Sequence, residues 1–202
     1  MLGKRIDQTQ RNIQQVVIFV YSENSSPRVK YSFGFILNEI LGIDYELTSD
    51  PDVFVKSSLP RINYSTAMIN GTITIVPHSL LFENQVKAHE IEVSEWNEIP
   101  VFFRSNSGDL PFDVFAASFY LLCRYGEYLS ERRDNHGRFP VEESLAFRSG
   151  FLEKPVVDQW AMMLGEIIKA KFPEVKIQER KFTFVPTIDV DVAFAYRHKG
   201  IA

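Results

Sequence analysis

Residues 16–42 read VVIFVYSENSSPRVKYSFGFILNEILG. Val16 to Tyr21 is an unbroken run of β-branched and aromatic side chains, the pattern of a strand covered on both faces. Ser22 to Ser26 supply a polar loop and a helix cap, and Pro27 suits the first helical position, where its missing N–H costs nothing. Val29, Phe33, Ile36, Leu37, Ile40 and Leu41 then recur at helical spacing up to Gly42, a stop signal. Strand, loop and helix in this order set the class as α/β.

Downstream, IDYELTS (43–49), RINYS (61–65), TITIVP (72–77) and IPVFFRS (99–105) read as further strands. Asn70-Gly71 is a two-residue turn signal between AMI and TITI, which predicts a hairpin. The first hundred residues thus read as a mixed sheet with one early helix. Residues 112–129 predict a buried helix that becomes exposed near Glu127, with Asp113 stabilising its first turn. Residues 156–172 predict a second, amphipathic helix ended by Pro173, and KFTFVPTIDVDVAFAY (181–196) a last strand.

The 202 residues suffice for one full core, and 45% hydrophobic with 24% charged residues is a globular balance. Seventeen Phe and eight Tyr predict an aromatic interior. A net charge of −4, with no Lys/Arg block, argues against nucleic acid as a partner. One cysteine, Cys123, excludes an internal disulfide and sits in a run that reads as core. Residues 1–15 are polar and no stretch approaches a membrane span, so the expectation is a cytoplasmic protein without one.

The chemistry-bearing feature is Asp189 and Asp191 at the end of an apolar run. On a strand they share a face, ~6–7 Å apart, a spacing at which two carboxylates can share a metal, one as ligand and one as base. The competing reading is that both acids simply leave the core and meet water or cap the next helix. A second candidate is the loop holding Asp134, His136 and Arg138, which could contact a ligand, although turn chemistry favours a solvated turn built on Asp-Asn and His-Gly. His78, after a strand and a proline, faces a cleft or satisfies nearby backbone. Ser118 lacks a G-x-S-x-G elbow, and no glycine-rich phosphate motif occurs.

PTIDVDVAFAY (186–196) resembles the first motif of the polysaccharide deacetylase (NodB-homology) family. LPFDVFAASFYLLCRYGEYL, HGRFPVEESLAF and GFLEKPVVDQW, in this order, resemble the region ahead of the barrel in bacterial, Bacteroidetes-like members, and the likeness spans Val16 to Tyr196. The resemblance implies a polar lead at 1–15, an α/β accessory domain at 16–180, and at 181–202 the start of the deacetylase domain. The expected fold is therefore a mixed sheet with flanking helices, followed by the first strand of a β/α barrel cut short at Ala202. It further implies Asp189 as catalytic base and Asp191 as a ligand of a zinc-like divalent metal, completed by two histidines of a later H-x-x-x-H. Asp-x-Asp here departs from the family's commoner adjacent pair. His78, His89, His136 and His198 include no two spaced by four, so the implied site is incomplete in this chain. The expected function is that of an accessory domain to a carbohydrate N-deacetylase, a C–N hydrolase. Its partners would be its own carboxyl-terminal barrel and a glycan substrate. The alternatives are an enzyme completed by Asp134 or His136, and a nonenzymatic interaction or glycan-binding module.

Overall fold

A computed structural model describes residues 16–179 and 181–189. The α/β expectation holds. β1 (Ile18–Ser22), α1 (Pro27–Phe33), β2 (Tyr45–Thr48), α2 (Pro51–Lys56), β3 (Arg61–Tyr64) and β4 (Ile73–Thr74) build a four-stranded sheet of order β2-β1-β3-β4. Every pairing in it is parallel, with Ile18 beside Tyr45, Val20 beside Ile62 and Ile62 beside Ile73. Antiparallel pairing is confined to a separate ribbon of β5 (Ser94–Trp96) and β6 (Ile99–Val101).

All five residues of β1 are buried, as its unbroken run requires. Ile18 and Val20 face the main core, where they meet α1, α3 (Val114–Leu122) and α5 (Val156–Lys171) through Phe33, Phe115, Trp160 and Leu164. Phe19 and Tyr21 face the other way and are covered by Phe54 of α2 and by Ile69. Helix α2 escaped the sequence reading although its signals are present. The Asp50 carboxylate accepts the amides of Asp52 (2.9 Å) and Val53 (3.2 Å), and Pro51 opens the helix.

The predicted hairpin at Asn70-Gly71 does not form. Gly71 does turn, at φ +74°, but β4 runs parallel to β3. Ile69 is drawn under the sheet against Phe19, Tyr21 and Phe54, so the stretch meant to pair is spent on burial. The first helix continues from Gly34 to Ile40 in π form, with Leu41 N–H donating to the Ile36 carbonyl (3.1 Å).

The helix predicted over 112–129 stops at Leu122. Arg124 adopts φ +52°, which swings Tyr125 into the core at 3% exposure instead of continuing the spiral. Cys123, expected in the core, is half-buried at that break. After α5 the chain crosses back over the core, and Gln178 N–H donates to the Leu41 carbonyl (2.9 Å). Lys181–Asp189, predicted as strand, makes no strand pairing and is exposed, with Phe182 at 94% and Phe184 at 77%. Residues 190–196 of that predicted strand lie outside the described residues, and no helix among the described residues is long and apolar enough to cross a membrane.

Candidate functional site

In an open parallel sheet, groups with chemistry gather beyond the carboxyl ends of the strands. The Asp113 carboxylate lies there, fully buried, and joins three elements. Its Oδ2 accepts the Tyr64 hydroxyl at the end of β3 (2.6 Å) and the His78 amide in the exit from β4 (2.7 Å). Its Oδ1 accepts the amides of Phe115 (3.0 Å) and Ala116 (3.1 Å), capping α3 as its place before an apolar run predicts. Burial pushes Asp113 up to about 6, against these four donors. Burial, then the Asp113 charge, pushes Tyr64 well above the usual phenol value.

His78 stacks on Phe103, with ring centroids 3.8 Å apart, and meets the His89 ring edge-on at 5.1 Å. Its Nδ1 accepts the Leu80 amide (3.3 Å), which assigns the ring proton to Nε2. Burial, reinforced by neighbouring His89 and opposed by Glu83, brings His78 down to about 4. His78 is therefore neutral at pH 7, a donor through Nε2.

His89 Nε2 lies 3.3 Å from Glu83 Oε2, yet neither buried atom has an aligned hydrogen bond. Burial raises Glu83, but the Ser79 hydroxyl bonded to Oε1 (2.9 Å) and the charges of His89, Lys87 and Arg28 outweigh it and hold the acid below its usual value. Arg28 spans the corner, donating to the carbonyls of Leu80 (2.8 Å) and Gln85 (3.0 Å) and lying over the Phe119 and Tyr125 rings. Phe103, against His78, holds φ +57°, a conformation costly for a bulky residue and typical of places where strain serves a site.

This corner brings together an acid–histidine pair, a neutral histidine donor and a strained aromatic, a set suited to gripping a polar ligand and moving a proton. The sequence pointed to His78 alone. Glu83 and His89 sit in a polar stretch without periodicity, so no pattern marked them.

The sequence-derived candidates lie elsewhere. Asp134, His136 and Arg138 come together as a closed turn. The Asp134 carboxylate accepts the amides of His136 (2.8 Å) and Arg138 (2.9 Å) and the Arg138 side chain (3.0 Å), with Gly137 at φ +75°. The Arg138 amide, ahead of the His136 amide and the Arg138 side chain, holds Asp134 below its usual value. Asp189 is exposed on the unpaired terminal segment, and Asp191 lies outside the described residues. Among the described residues, no group of three or more His, Cys, Asp or Glu is disposed to hold a metal ion. The ligand set of a zinc-like site is thus not assembled in this part of the chain.

Comparison with curated proteins and with solved structures gave no match. A family model described as "Family of unknown function (DUF7033)" matches residues 18–173, from the start of β1 to just past α5. Since the match takes in more than half of the 202 residues, the chain belongs to the DUF7033 family.

Proposed function

We propose that this α/β unit is the amino-terminal accessory domain of a metal-dependent polysaccharide deacetylase, serving to seat and orient a barrel that carries the chemistry. The observation that carries the reading is the terminal segment. Phe182, Phe184, Val185 and Ile188 are 94%, 77%, 71% and 85% exposed and lead directly to Asp189. An apolar stretch of this kind, left uncovered by the body it leaves, calls for cover from another unit. Its continuation, PTIDVDVAFAY, resembles the family's first motif. In this reading Asp189 is the base and Asp191 a metal ligand, with the remaining ligands supplied by the barrel. The loop of Asp134, His136 and Arg138 is a candidate contact for the glycan.

The test is acetate release from N-acetylated chito-oligosaccharides with zinc present, using the product of the whole reading frame. Activity is expected in that product, with a loss of about 100-fold or more in Asp189→Asn, the scale of removing a catalytic base. A reading frame without H-x-x-x-H, or an Asp189→Asn product as active as the parent, overturns the proposal.

A second reading, a nonenzymatic glycan-binding module, draws on the strained Phe103 against His78 and on the Glu83–His89 pair. Chito-oligosaccharide titration followed by the ring resonances of His78 and His89 tests it. Unmoved resonances at millimolar sugar dismiss it.

A further inference from the structure

Residues 83–89 form a loop whose two ends meet. Glu83 Oε2 and His89 Nε2 stand 3.3 Å apart, and the residues between them, Asn84 to Ala88, are all exposed. Compact surface loops closed at the neck in this way are frequently functional. Among the described residues, no backbone–backbone hydrogen bond ties residues 84–89 to the rest of the molecule. Two side chains hold the middle of the loop instead. Arg28 donates to the Gln85 carbonyl (3.0 Å), and the Tyr125 hydroxyl accepts the Lys87 amide (2.9 Å). A segment with so few backbone ties opens at a fraction of the cost of global unfolding.

We propose that this loop is a pH-gated lid, with Glu83 and His89 as its latch. Closed, it lies over the hydroxyl of Tyr125, a residue 3% exposed, and takes up one edge of the Arg28 guanidinium. Open, it frees that edge and that hydroxyl, beside the Phe119 and Tyr125 rings on which Arg28 lies, for a ligand bearing hydrogen-bond acceptors. The gate turns on the charge of His89. An imidazolium faces the Glu83 carboxylate at short range, with both side chains largely out of water, and draws the neck shut. A neutral imidazole removes that attraction, and histidine is the side chain that makes this change between pH 5 and 8.

The groups around His89 leave it as the deciding charge. Burial raises Glu83, but Ser79, His89, Lys87 and Arg28 together hold it below its usual value, so it stays ionised over that range. His78, in the exit from β4, meets His89 edge-on at 5.1 Å, yet burial brings it down to about 4, so it is neutral there and does not repel the imidazolium. Tyr125 turns its ring to His89 at 6.1 Å. Asp113, behind His78, is raised by burial to about 6 and titrates in the same range, but its oxygens are occupied by Tyr64 and by the amides of His78, Phe115 and Ala116.

The lid makes no use of the terminal segment, so it and the deacetylase reading stand or fall separately. The experiment is amide hydrogen exchange by NMR at pH 5 and pH 7.5, each rate referred to the intrinsic rate of that amide, on the whole chain and on Glu83→Gln and His89→Gln. In the parent the Lys87 amide is expected to be about fivefold better protected at pH 5 than at pH 7.5, the scale of one charge pair. Both variants are expected to lose that dependence, and the Phe19 amide, bonded inside the sheet to the Pro60 carbonyl, to stay unchanged throughout. Equal Lys87 protection at the two pH values in the parent overturns the proposal. A dependence that survives in either variant also overturns it, assigning the effect to Asp113. A parallel change at Phe19 overturns it as well, since the whole body would then be opening.

Discussion

Asp113 and His78 are joined by one hydrogen bond and titrate with opposite consequences. Asp113 is raised from 3.8 to about 6, so the native state holds its proton more tightly than the unfolded chain. Its contribution is complete below the unfolded value and is lost as pH rises through about 6. His78 is lowered from 6.5 to about 4, so its contribution is complete above 6.5 and is lost as pH falls through about 4. Between pH 4 and 6 the two slopes oppose, which flattens the stability of the corner. Asp113→Asn removes one of them. It leaves the Tyr64 hydroxyl and the His78 amide short of an acceptor, a cost of about 1–3 kcal/mol at pH 7. The variant is also expected to lose stability more steeply than the parent on going from pH 6.5 to 4.5, read from urea midpoints at the two values. Glu83 and His89, which also face His78, are present in both proteins and drop out of the difference.

At the level of elements, the two faces of the sheet are unequally defended. One carries three long helical segments, whereas the other rests on α2, whose only buried residue is Phe54. Phe54 touches the rings of Phe19 and Tyr21 and lies beneath the Arg61 guanidinium. Phe54→Ala is therefore expected to cost about 3–5 kcal/mol in denaturant unfolding, with the main core still formed. The anchor of the segment after α5, where the Gln178 N–H meets the Leu41 carbonyl, depends on Gly42. A Cβ there would lie 2.5 Å from the Gln178 Cβ, at a φ of +67° that side chains avoid. Gly42→Ala is expected to cost about 1–2 kcal/mol from the backbone alone and to speed exchange of the Gln178 amide. An unchanged Gln178 amide would mean that the segment is held elsewhere.

Over the whole molecule, the body between β1 and the end of α5 holds a main core and a smaller cluster on the other face of the sheet, and of the described residues after α5 only Val175 is buried, with Phe172 and Ile177 partly buried against the main core. Deleting residues 187–202 is expected to move the thermal midpoint by less than about 2 °C. A larger drop would bring those residues into the body's own core. The sequence by itself determined the class, the fully buried β1, the helix starts at Ser26 and Asp113 and a polar turn at Asp134, because each is written in contiguous residues whose spacing or cap chemistry is local. It did not determine that β3 and β4 run parallel, because the Asn-Gly signal was outweighed by burial of Ile69 against an element it never touches in sequence. Nor did it mark Glu83 and His89, which matter only because the fold carries them to the rings of His78 and Phe103. The place of β2 at the end of the strand order belongs to the tertiary structure as well, since whether a strand has one neighbour or two is set by crossovers between distant segments.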